Sequence, residues 1–141
     1  MPKLIYLAAP YTDPNPEVSA LRAAQAAYAA AMLMSRYGFV VYSPITHGHA
    51  VAPHLDFAGV KHDHDFWMGQ CLPLLGCCDL LVVVPLPGWE KSRGIAAERK
   101  YASDCNMPEL FWSTYPRPEA SLESAWDEPD DGDETFLKNL L

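Results

Sequence analysis

A chain of 141 residues, half of them hydrophobic and 20% charged, has the size and composition of one soluble globular domain around one core. Its formal net charge of -8 excludes a general DNA or RNA binder, whose basic footprint is missing, but not a small anionic ligand held by a helix N-terminus. No run approaches the ~20 apolar residues of a membrane span, no secretory signal opens the chain, and Cys71, Cys77, Cys78 and Cys105 form no disulfide framework, so a reduced cytoplasmic protein without membrane contact is expected.

Residues 3–8 run apolar nearly throughout and predict a first strand covered on both faces. A proline-punctuated loop follows over 9–16. Residues 17–37 then predict a helix, with an acid in its first turn, alanine throughout and Val18, Leu21, Tyr28 and Met32 near one face. Gly38 ends it, and residues 39–43 predict a second strand, parallel to the first. From 44 to 63 periodicity disappears among histidines, glycines and prolines, which predicts a long functional connection. A helix over 63–75, disturbed by Pro73, a third strand over 79–85, a helix over 92–104 and a short strand over 109–113 complete the pattern. The alternation argues one α/β domain over 1–115. Its fold is a doubly wound, mainly parallel sheet of four to five strands with helices on both faces, Rossmann- or flavodoxin-like. Residues 116–141 form an acidic tail, read as a linker, whose apolar end can dock on its own body or on a neighbouring subunit.

Glu98 is the most telling residue. It falls on the helical stripe of Ile95, Ala102 and Cys105, facing the core, where a bare carboxylate must be paired, protonated or used. It also follows a buried strand, and open α/β sheets place ligands beyond the C-terminal ends of their strands. Upstream, Ser92 is a good N-cap and Gly94 permits close approach of a ligand, so this helix start suits a phosphate. The bland alternative is a capping Ser92 and a Glu98 paired at the surface with Arg93, Arg99 or Lys100. The end of the first strand shares that sheet edge. There the small pair Ala8 and Ala9 leaves room for a ligand beside Pro10, while Tyr6 and Tyr11 offer rings and hydroxyls, or simply pack.

His47, His49, His54, His62 and His64, with Asp63 and Asp65, invite a zinc or iron site, but no fixed ligand spacing such as H-E-x-x-H appears. Without a metal or other cofactor, His47 would orient a ligand. Phe66 and Trp67 would wall a nucleobase or form a buried pair.

Four segments together resemble the nucleoside 2-deoxyribosyltransferase superfamily. They are Tyr6-Leu7-Ala8-Ala9-Pro10-Tyr11, Ser43-Pro44-Ile45-Thr46-His47, Asp79-Leu80-Leu81-Val82-Val83 and Gly88-Trp89-x-x-Ser92-x-Gly94-x-x-x-Glu98. The likeness covers roughly residues 3–112 and is nearest to a small bacterial and phage branch and to the nucleoside 5'-monophosphate N-glycosidases. It implies N-glycosidic chemistry on a nucleoside or nucleotide, with Glu98 as nucleophile, Tyr6 beside it and Trp89 within the site motif. Ser92 matches the serine that helps the monophosphate glycosidases hold phosphate, where nucleoside transferases usually carry aspartate. One departure is Cys71, near the position of an aspartate that assists the leaving base; Asp63, Asp65 or a histidine could substitute. Relatives share active sites between subunits, which implies a homo-oligomer. Two other functions stay open: a nucleotide-binding module without catalysis, and a histidine-dependent metallohydrolase.

Overall fold

The computed structural model describes residues 2–112 together with Leu137 and Asn139. The first strand, β1 (Leu4–Ala8), leads into helix α1 (Pro16–Tyr37) and strand β2 (Val40–Tyr42). Helices α2 (Pro44–Phe57) and α3 (His64–Leu75) follow, then strand β3 (Leu80–Val83), helix α4 (Arg93–Asp104) and strand β4 (Glu109–Phe111). The four strands form one sheet in the order β2-β1-β3-β4, with every pairing parallel. This is the expected doubly wound α/β arrangement.

Alternation along the strands divides the core in two. Ile5, Leu7, Leu80, Val82 and Val84 face α1, where Ala26, Ala29, Ala30, Leu33, Trp112 and Leu137 close over them. Tyr6, Ala8, Leu81 and Val83 face the other way, onto Cys71 and Leu75 of α3 and Ile95 and Ala102 of α4. Both faces of the central strands are therefore dry, which explains their continuous apolar sequence. Among the described residues, no helix is long and apolar enough to cross a membrane.

The start and stop of α1 obey local chemistry. The Asn15 side chain accepts from the Glu17 N–H, Pro16 occupies the first turn, and Gly38 closes the helix at φ 69°. Of the expected face, Met32 is buried and Tyr28 packs against the core, but Leu21 does not join them. Leu21 is about half exposed, and the contact runs through Ala23, Ala26, Ala29, Ala30 and Leu33. Short alanine side chains let the helix backbone approach the sheet, so the larger residue is turned outward.

The segment expected to be an aperiodic connection over 44–63 is instead largely helical, as α2. Ser43 caps it, accepting from the Thr46 N–H, and Pro44 sits in the first turn. That Ser-Pro start was readable. Gly48, Pro53 and the histidines at 47, 49 and 54 obscured it, because only Pro44 of the helix is buried and no apolar stripe was needed. Pro73 does not break α3: lying in the last turn, it forfeits only the bond to the carbonyl four residues back. In the acidic region, the linker expected from 116 onward lies outside the described residues. Leu137 is helical and fully buried against the α1-side core.

Candidate functional site

The chain leaves β1 towards β2 on one side and reaches β3 on the other. The crevice beyond the carboxyl ends of β1 and β3 is thus the topological switch point, where such sheets bind ligands. Ala8, Ala9 and Pro10 are buried at the β1 end. The loops after β1 and β3 are joined there by Arg22 of α1. Its guanidinium donates to the carbonyls of Tyr11 (3.4 Å), Thr12 (3.1 Å) and Pro87 (3.0 Å). Gly88 makes this possible. It adopts φ 93°, and an added Cβ would stand 2.9 Å from Arg22 Nη2. Gly88→Ala therefore combines left-handed strain of about 1–2 kcal/mol with displacement of the guanidinium. The variant should melt several degrees below the parent in a thermal scan; an unchanged melting temperature would show that the loop tolerates both.

Beyond Gly88 a short 3-10 turn (Trp89–Lys91) delivers Ser92 as the N-cap of α4. Ser92 Oγ accepts from the Ile95 N–H at 3.2 Å. Ile95, Glu98 and Ala102 are buried on one stripe as expected, while Cys105, placed on the same stripe from sequence, caps the helix end and is exposed. Ser92 and Glu98 converge above Gly94. A Cβ built there would lie 3.8 Å from Glu98 Oε1, from Ser92 Oγ and from Met68 Cε alike.

Glu98 is only 4% exposed. The surface pairing expected as the bland alternative does not occur. Arg99 forks onto Glu109 at 2.8 and 3.2 Å and covers the Phe111 ring, and Lys100 bonds Asp104 at 2.9 Å. Among the described residues no cation stands within ion-pair distance of Glu98. Burial drives its pKa up to about 7, and the Tyr6 hydroxyl opposes that rise. Tyr6 is wholly buried, and its hydroxyl approaches Glu98 without closing a hydrogen bond of full geometry. Desolvation and the Glu98 charge hold the phenol far above its usual range, so it stays protonated.

Tyr42, missed from sequence, extends this cluster. It is paired in register with Tyr6, and the rings meet edge to face at 5.6 Å. Its pKa is pushed up to about 12 by burial and by Cys71 and Glu98 nearby. The signal was its place at the end of β2, one strand over from Tyr6 and on the same face. Cys71 stands between these groups, its thiol pushed up by burial and so protonated. From Tyr42 a cleft of about 240 Å³ opens between α2 and α3, lined also by His47, Val51, Leu55, Trp67 and Gln70. The expected ligand residues His47 and Trp67 therefore share one cavity.

Other expected residues are elsewhere. Asp65 is exposed on the first turn of α3 and is not among the groups acting on Glu98; Asp63 is spent capping α3 through the Phe66 N–H. Trp89 packs on Phe111 at 5.0 Å. Tyr11 stands at the rim, its hydroxyl 2.7 Å from His49 Nδ1. Among the described residues no three His, Cys, Asp or Glu side chains converge as a metal-binding group.

The chain is thus a parallel α/β domain with a buried carboxylate, Glu98, beside Tyr6 of β1. More narrowly, the chain belongs to the family described as "Domain of unknown function (DUF1937)", which matches residues 3–114. No curated protein matches the chain.

Proposed function

We propose that this protein cleaves or transfers the N-glycosidic bond of a (deoxy)nucleoside 5'-monophosphate through a glycosyl-Glu98 intermediate. The observation that carries this reading is a buried glutamate without a cation among the described residues, sharing the space above Gly94 with a helix-capping serine. A Glu98 oxygen attacks C1' while the C1'–N bond breaks, its electron pair leaving with the base. Tyr6 donates to the carboxylate and orients it. The departing base lies in the cleft between α2 and α3 and takes its proton from His47, which lines that cleft. Water then releases the sugar phosphate, or a second base captures the glycosyl group, as in retaining glycosidases. The phosphate sits at the start of α4, against Ser92 and free N–H groups.

The test is incubation with a panel of nucleosides and 5'-monophosphates, followed by chromatography for free base. Release from a monophosphate is expected. A second reading, a nucleotide-binding module without turnover, is favoured by one observation: the residue beside Tyr6 and Tyr42 is a protonated thiol, not an acid. Binding without base release in the same assay would select it. No third reading through a metal is favoured, given where the histidines lie.

Two consequences are measurable. Only ionised Glu98 can attack, so kcat/KM should fall about tenfold per pH unit below pH 7. An acid limb two units lower would contradict a desolvated nucleophile. Gly94→Ala should preserve or raise stability by up to ~1 kcal/mol, since a helical alanine replaces glycine at ordinary contact distances. Its methyl would nonetheless fill the shared space, so turnover should drop while the melting temperature does not. Retained turnover would move the substrate away from that point. This reading also carries a cytoplasmic location and a homo-oligomer, which a mass measurement in solution decides.

A further inference from the structure

We propose that Asp56 and His62 form a strut that fixes Trp67 as the flat wall of the cleft between α2 and α3, making His62 a positioning residue for a planar ring bound there. The inference rests on the nucleotide reading above but does not require turnover. Trp67 Nε1–H is 3.2 Å from His62 Nδ1, and His62 Nε2 is 2.6 Å from Asp56 Oδ1. An indole N–H can only donate, so His62 accepts at Nδ1 and its proton resides on Nε2, donated to Asp56. One tautomer satisfies both bonds, and the three residues form a continuous chain from the end of α2 to the first turn of α3.

The ring so held is packed on two further sides. Its six-membered portion covers Gly48 of α2, where a Cβ would come to 3.6 Å, and Phe66 meets it edge to face at 5.1 Å. His62 itself abuts the indole at 5.8 Å between ring centroids. These contacts hold the plane of Trp67, and a wall with a fixed plane costs a stacked ligand less ordering entropy than a mobile one. The cleft offers such a ligand apolar sides in Val51 and Leu55 and polar edges in His47 and Gln70, the composition of a site for a heteroaromatic ring.

The experiment is calorimetric titration of the full chain with adenosine, guanosine, cytidine and thymidine 5'-monophosphates, and with ribose 5-phosphate, which lacks a base. His62→Leu is expected to weaken the tightest nucleotide about tenfold, the scale of one base–aromatic stack, and leave ribose 5-phosphate unchanged. His62→Gln, which can both accept from Trp67 and donate to Asp56, should restore most of that loss. Equal weakening of ribose 5-phosphate, an unaffected nucleotide, or a parent protein that binds no nucleotide would each overturn the proposal. Because the readout is binding, a protein that holds nucleotides without cleaving them sinks the glycosidase reading and leaves the strut intact. Cleavage indifferent to His62 and Trp67→Ala does the reverse.

Discussion

Replacing Glu98 with glutamine should abolish turnover and at the same time make the protein harder to melt at alkaline pH. The first effect follows from chemistry: the amide oxygen is a poor nucleophile at an anomeric carbon, and loss of an attacking group costs at least about 10³-fold. The second follows from linkage. Glu98 titrates near 7 in the folded protein, against an ordinary glutamate value of 4.5. Between those values the folded chain holds a proton that the unfolded chain has released. Stability conferred by the protonated acid is complete below the unfolded value and is lost as pH rises through the folded one. The upper bound on that loss is about 3 kcal/mol. Glutamine stays neutral, so Glu98→Gln and parent should melt alike near pH 5 and separate progressively up to pH 8, with the variant higher by several degrees. A glutamate kept for structure would show the opposite, a variant destabilised at every pH.

Ser92→Asp should reverse the choice between substrates while leaving the fold intact. Aspartate caps helices as well as serine does, so the bond to the Ile95 N–H survives and stability should stay within ~0.5 kcal/mol. The added carboxylate stands where the phosphate is to bind, and like charges brought together without counterions cost several kcal/mol. Monophosphate kcat/KM should therefore fall by roughly 10²-fold or more, with nucleosides affected far less. The resemblance to nucleoside-acting transferases, which usually carry aspartate at this point, implies the same direction. Equal losses on both substrate classes would remove the phosphate from α4.

The parts of this architecture that were readable in the sequence share one property: their signals are local. Continuous apolar runs marked β1 and β3, Gly38 marked the end of α1, and Ser92 with the stripe through Ile95, Glu98 and Ala102 marked α4 and its buried carboxylate. What was not readable depended on partners distant in the chain. Arg22 carried no signal of its own in the sequence, yet it ties the loop after β1 to Pro87, 65 residues further along than Arg22. Tyr42 gains its role only from registry with Tyr6. The helix α2 escaped because it buries little and so carries no periodic stripe, although Ser43 and Pro44 announced its start. Asp65 was offered as a substitute for the acid that the resemblance implies near Cys71, but it is exposed on α3, and the neighbour that does face Tyr6 is Cys71 on the same helix.

A buried glutamate that becomes covalently bonded to sugar is the core of this account, and it can be seen directly. The protein would be quenched in acid while turning over the nucleoside 5'-monophosphate that releases base fastest, digested, and its peptides weighed by mass spectrometry. The account predicts a pentose phosphate attached to the peptide containing Glu98, absent from Glu98→Gln. Base release with that peptide unmodified and Glu98→Gln still active would contradict it.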